Sequence, residues 1–416
     1  MVQIFRIPWA AWYGDEDLAL EFPDTWDVKL FKMKDAPEIS KEEIESAINN
    51  PIGTQTLKEI AQGKQNAVIA IEDISRPSYL EEILNIVLDQ LNDVGIDDEK
   101  ITLIYALGSH RPLDRRDSIK KVGLSIVERV NIENHHPYEN LVYVGESHFG
   151  TPIYLNKTYH SANVKIAIGT VIPHPLAGFG GGAKVILPGI CGIQTLEENH
   201  KAGVRGIGIG VGIVSELRKD IEDVCKKVGL DFSINIVSTM NRGIAAVYAG
   251  DFIEAHRKAI ESGKLVYSTD TQSDLNLDIG FFNLYPEDTE LSQAIKGFNF
   301  IFSTKGLINR KGAIIFLTAA SEGRGFHSLQ AETGAKLYKN WGDMLWFKGF
   351  IKNKNFGIFS PNINKADVLH FYPPKTIFMK NFNEIITTLE DIYGKTPKVG
   401  IFPCSIQLPK KNFITR

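Results

Sequence analysis

Cysteine is scarce. The chain holds only Cys191, Cys225 and Cys404 in 416 residues, far apart and without a Cys-x-x-Cys spacing. That excludes a disulfide framework and a closed thiolate zinc site, and it favours a reducing compartment. Long hydrophobic runs are missing too, so no membrane span is expected. The start, Met1-Val-Gln-Ile-Phe-Arg6, lacks the basic and apolar pattern of a signal peptide. A cytoplasmic protein is the expectation. Nor is there an excess of one charge: 46 Lys and Arg against 50 Asp and Glu leave a formal net charge of −4. No global basic field is available to hold a nucleic-acid backbone, and an anionic ligand would need a local basic pocket. No repeat, heptad or low-complexity tract stands out.

What is present is the composition of a soluble globular protein, 43% hydrophobic and 23% charged with 36 glycines. The length exceeds one ordinary core and implies two domains. Short apolar, β-branched runs alternate with amphipathic segments, the signature of a parallel sheet with helices on its faces. Expected strands are Ala67–Glu72, Ile101–Ala106, Val164–Gly169, Ser233–Ser238, Asp278–Phe282, Ala313–Leu317 and Val399–Phe402. Expected helices are Leu80–Val94, Val214–Val228, Asp251–Ser262, Glu290–Lys296 and Asn381–Tyr393. The fold class is α/β, with two domains that each carry a mainly parallel sheet flanked by helices. The polar stretch Tyr267–Asn276 has no apolar period and marks the boundary, giving domains 1–270 and 271–416. A ligand site in the cleft between them is expected.

Chemistry-bearing residues collect where expected strands end, which is where open α/β sheets bind ligands. After Ala67–Glu72 comes Asp73-Ile-Ser-Arg76-Pro77, in which Asp and Arg could orient one another and the guanidinium could grip a carboxylate or phosphate. A turn-stabilising Asp beside a solvated Arg explains the same residues. After Ile101–Ala106 comes Gly108-Ser-His110-Arg-Pro112, which sets an imidazole in place to act as acid or base. After Val164–Gly169 the run His174-Pro-Leu-Ala-Gly-Phe-Gly-Gly-Gly-Ala-Lys184 joins a histidine, a glycine-rich turn and an amine. That turn could present backbone N–H groups to an anion, and Lys184 could be a phosphate clamp or a nucleophile. His200 ends a helical segment and could present a nitrogen to a metal, although two histidines four apart are missing.

Weaker signals are the alternating glycines of Gly206–Gly212, which read as a flexible connection, and Gln293 and Lys296, which share one helix face at i, i+3. His135, His136, His148, His160, His256, His327 and His370 have no comparable context and read as structural or surface residues.

Together these segments resemble the nickel-pincer lactate racemase family. The resemblance runs from Asn50-Pro-Ile-Gly53 through Asp73-x-x-Arg76-Pro77, Gly108-Ser-His110-Arg-Pro112, the run from His174 to Gly189, and His200, to Gln293-x-x-Lys296-Gly297. Its order and spacing are more specific than any single piece. The resemblance implies a racemase or epimerase that inverts C2 of a 2-hydroxy acid by removing the hydroxyl proton and reversibly transferring hydride to a nickel-pincer nucleotide. That cofactor is a pyridinium mononucleotide with two sulfur-containing arms, joined to Lys184 through a thioamide, and it holds Ni with His200 as the protein ligand. His110 and His174 would be the two acid–base residues, one on each face of the substrate. Arg76, Gln293 and Lys296 would bind substrate and cofactor, with Asp73 in a supporting role. Cofactor-making enzymes would be partners, and neither nucleic acid nor membrane would be.

The chain departs from the lactate racemase pattern at Leu176, where an aromatic is found, at Ala183, in place of an arginine, and at Ser292, in place of a tyrosine. Loss of bulk and charge there implies a 2-hydroxy acid other than lactate, because pocket volume selects the side chain. Two other readings fit some of the residues: a zinc or manganese hydrolase or lyase using His174, His200 and Asp73, and a non-catalytic protein that binds a nucleotide through the glycine-rich turn.

Overall fold

The run Ala67–Ile71 is buried along its whole length, as a strand must be when helices cover both faces of its sheet. In the computed structural model, which describes residues 1–205, 215–271, 274–326 and 344–410, this strand lies inside a six-stranded sheet. The order is Ile244–Gly250, Phe232–Ser238, Val164–Thr170, Ala67–Ile71, Ile101–Tyr105 and Asn131–Asn134. All neighbours are parallel except the first pair. The chain leaves Ala67–Ile71 toward Ile101–Tyr105 on one side and returns to Val164–Thr170 on the other. That reversal makes a topological switch point, where the carboxyl ends of adjacent strands open a crevice. The crossover helix Glu81–Asn92 turns Ile83, Leu84, Val87, Leu88 and Leu91 inward at helical spacing.

The chain forms two units, Ala36–Val266, which holds this sheet, and Met1–Asp35 joined with Tyr267–Arg416. The second unit has its own six-stranded sheet, wholly parallel, in the order Ile377–Met379, Asn355–Phe359, Ile308–Leu317, Leu277–Asn283, Lys398–Phe402 and Asp27–Leu30. One core of this unit gathers Trp9, Leu20 and Phe22 with Phe281, Ile315, Leu389 and Ile401. Another core is aromatic, with Phe282, Phe298, Phe316, Phe356 and Phe402 in ring contact.

The expected domain of residues 1–270 is therefore corrected at its start. Residues 1–35 belong with the C-terminal half because Asp27–Leu30 finds its backbone partners on Lys398–Phe402. A four-residue strand with no fully buried position carries no sequence signal of that pairing. All seven expected strands are present. The expected helix Glu290–Lys296 is instead a 3-10 segment, Leu291–Gly297. The 206–212 stretch and His327 lie outside the described residues. Among the described residues no helix is long and apolar enough to cross a membrane.

Candidate active site

The turn after Ala67–Ile71 is anchored from below. Glu72 accepts the backbone N–H and the hydroxyl of Thr170, both at 2.5 Å, so it ties the ends of the two strands that flank the switch point. The buried Lys121 ammonium donates to Glu72 at 3.0 Å and to the Arg76 carbonyl at 3.2 Å. Burial pulls its pKa down while Glu72 pulls it back up.

The hydrogen bonds of Asp73 go to His110 and Ser75, while Arg76 acts on it through its charge. Its carboxylate lies 2.6 Å from His110 Nδ1 and accepts the Ser75 N–H at 2.8 Å and the Ser75 hydroxyl. Burial opposes its ionisation, yet His110, Arg76 and Ser75 together hold its carboxyl well below the usual carboxylate range. Arg76 donates to the Ser75 carbonyl at 3.0 Å and to the Ser75 hydroxyl at 3.1 Å. His110 follows Gly108, whose φ of +57° and N–H bond of 2.8 Å to the Gly189 carbonyl fasten this loop to the end of the glycine-rich run.

In that run Pro173–His174 pairs antiparallel with Gly178–Phe179. His174 Nδ1 accepts the backbone N–H groups of Leu176 at 3.2 Å and Ala177 at 3.1 Å. The glycines do not form the expected anion cradle at Gly180 and Gly182. The Gly180 N–H donates to the Ile172 carbonyl at 2.8 Å, and the Gly182 N–H donates to Asn235 Oδ1 at 2.9 Å. From the other side the carbonyls of Phe179, Gly180 and Gly181 accept from the buried Arg218 guanidinium, and His256 Nε2 donates to the Gly180 carbonyl at 2.7 Å. The turn is a fixed pedestal that carries Lys184 on the 3-10 segment Gly182–Val185. Sequence reading missed Arg218, because a basic residue on an amphipathic helix looks like solvated surface. Ala183 is buried, a position where an arginine would not fit unchanged.

His200 lies on the helix Ile193–Arg205. Its Nδ1–H donates to the Leu196 carbonyl at 2.7 Å, which leaves Nε2 as the nitrogen with a lone pair. Burial pushes its pKa down to about 4, and the Lys184 charge adds to that effect against the Leu196 hydrogen bond. It is thus a neutral imidazole, the form that binds metal. Burial also holds the Cys191 thiol protonated, so no thiolate is offered nearby. Among the described residues no three His, Cys, Asp or Glu side chains converge as a metal site.

Gln293 and Lys296 lie in the other unit, and both are buried where exposed surface is the common expectation for these types. Lys296 pairs with buried Glu287, and Gln293 Nε2 donates to Glu290 at 3.0 Å. Ser292 also donates to Glu290. The Lys296 cation is therefore compensated, and it offers directed donors rather than a bare charge. Glu287 and Glu290 escaped sequence reading because acidic residues before a helical turn are common caps.

The lactate racemase N-terminal domain family matches residues 13–208. Lactate racemase of Lactiplantibacillus plantarum is 30% identical over 298 residues, which cover 70% of this chain and 69% of that protein. Lactate racemase of Thermoanaerobacterium thermosaccharolyticum is 28% identical over 322 residues, 75% of this chain and 74% of its own length. In fold, the lactate racemase apoprotein from the same organism superposes with a TM-score of 0.78 at 23% identity, covering 98% of this chain and 99% of that one. A Thermotoga maritima protein superposes at 0.69 with 18% identity, covering 90% and 99%. The chain belongs to the lactate racemase family.

Proposed function

We propose that this protein is a racemase or epimerase inverting C2 of a 2-hydroxy acid, with a nickel-pincer nucleotide joined to Lys184 and His200 as the nickel ligand. The observation that carries the reading is His200, whose ring is turned by Leu196 so that a neutral Nε2 is available beside the field of the Lys184 charge. A single imidazole fits a metal whose other donors come from an organic ligand, and it fits poorly with an ion held by protein alone, which needs three or more side chains. Relatives named lactate racemase support the reaction class.

When bound, the cofactor supplies the acceptor for the C2 hydrogen. The chain's own residues do the rest. His110, backed by Asp73, takes the hydroxyl proton, and His174 serves the opposite face. Arg76 grips the substrate carboxylate, while Gln293 and Lys296 bind substrate and cofactor. The substrate is a 2-hydroxy acid other than lactate, on the strength of Leu176, Ala183 and Ser292. Enzymes that make the cofactor must supply it.

The hydrolase reading needs Asp73 as a metal ligand, and that carboxylate is committed to His110 and Ser75. The nucleotide-cradle reading needs N–H groups that Ile172 and Asn235 occupy. Protein co-expressed with the cofactor-making enzymes is to be weighed intact and screened against 2-hydroxy acids by chiral chromatography. The expected outcome is a mass increment that disappears in Lys184→Ala, together with racemisation fastest on an acid larger than lactate. Absence of any Lys184-dependent increment would sink the proposal, and lactate as the fastest substrate would remove its substrate clause.

A further inference from the structure

We infer that the two acid–base histidines are held in opposite tautomers, His110 as the proton acceptor and His174 as a donor, and so do unequal work. The catalytic half of this rests on the racemase reading; the tautomers do not.

A neutral imidazole has one nitrogen that donates and one that accepts, and the partner of the first decides the second. His110 Nδ1 faces the Asp73 carboxylate at 2.6 Å. An ionised carboxylate only accepts, so the ring proton sits on Nδ1 and the lone pair on Nε2. His174 is the reverse case. Its Nδ1 is approached by two donors, the N–H groups of Leu176 at 3.2 Å and Ala177 at 3.1 Å. A proton on that nitrogen would face both of them, so the lone pair stays on Nδ1 and the proton on Nε2.

The chemical roles then separate. Transfer of a substrate hydroxyl proton to His110 Nε2 breaks the O–H bond, leaves its electron pair on oxygen and makes an imidazolium whose charge Asp73 balances. Asp73 is the positioning residue for that step. His174 in its resting form carries its proton at Nε2, and it takes up a substrate proton there only after that proton has moved to Nδ1 and the bonds to the 176 and 177 amides are given up. Enantiomers have equal free energy, so kcat/KM must match in the two directions of a racemisation. The inequality is therefore sought in the rings and in variants.

The test uses full-length protein without cofactor, with ¹⁵N-labelled histidine, read by long-range ¹H–¹⁵N correlation and assigned with His110→Gln and His174→Gln. We expect His110 protonated at Nδ1 and His174 at Nε2, with Asp73→Asn shifting the His110 pattern alone. The same tautomer in both rings, or a His110 pattern indifferent to Asp73→Asn, overturns the inference. In cofactor-loaded protein, glutamine at 174 keeps an N–H donor but neither takes up nor releases a proton, so His174→Gln is expected to retain at least about tenfold more kcat than His110→Gln. Equal losses overturn the division of labour. A loaded wild-type protein that turns over no 2-hydroxy acid would instead refute the proposed function, leaving the ring tautomers to be judged on the spectra.

Discussion

Asp73 shows how much one residue's meaning depends on its partner. Sequence spacing pointed it at Arg76, three positions on, but its carboxylate reaches His110, in the loop after the next strand. Asp73→Asn keeps the shape and removes the charge that balances an imidazolium, so kcat on the racemised acid should fall at least about a hundredfold while cofactor loading, read by intact mass, persists. Gly182 is constrained differently: its φ is +55°, and an added Cβ would lie 2.9 Å from the His256 ring. Gly182→Ala should therefore cost about 1–3 kcal/mol in denaturant unfolding and lower the yield of the Lys184 adduct. His110, His174 and Lys184 were legible in the sequence as reactive residue types in segments that follow strands, and His200 as one on a helix that runs on to Arg205 rather than ending there. Arg218, which grips three carbonyls under the glycine-rich turn, was not, because nothing local distinguishes it from a surface arginine.

At the scale of elements, the buried Lys121 on the helix Arg115–Val122 pairs with Glu72, the residue that ties the strands meeting at the switch point through Thr170. Removing one member strands the other charge, so Lys121→Met should destabilise by about 3 kcal/mol, and adding Glu72→Gln should recover part of that loss. Denaturant melts of both variants test it. In the other unit, Asp288 holds the amides of Ala10 and Ala11 at 3.0 and 3.2 Å. Burial pushes its pKa up to about 6 from an ordinary 3.8, against those hydrogen bonds. Its folded pKa lies above its unfolded one, so the native state binds the extra proton. The stabilisation is complete below about pH 4 and is lost as pH rises through 6. Asp288→Asn should flatten that slope, on the order of 3 kcal/mol across the window, in urea melts taken from pH 4 to 7. Apolar runs such as Ala67–Ile71 announced their strands, whereas short strands with mixed burial, Asp27–Leu30 and Asn131–Asn134, did not.

For the whole molecule the consequence is an unequal pair. Residues 36–266 are continuous and own a complete sheet, so that segment expressed alone should give a cooperative melt and a dispersed amide spectrum. Residues 267–416 alone lack the edge strand Asp27–Leu30 and the core side chains Trp9, Leu20 and Phe22. Each large side chain lost from a core costs several kcal/mol, more in sum than a domain's net stability. That segment should be unfolded and protease-sensitive until residues 1–35 are supplied. By itself the sequence determined the α/β class, seven of the buried apolar strands and the reactive residue types, because burial on both faces writes an unbroken apolar run and turn chemistry is local. Only the tertiary structure decided that Asp73 serves His110, that Glu287 compensates Lys296, that the glycine-rich turn is a pedestal, and that the first 35 residues complete the distant half. Each of those depends on a backbone or side-chain partner that folding brings close, and no local period in the chain records it.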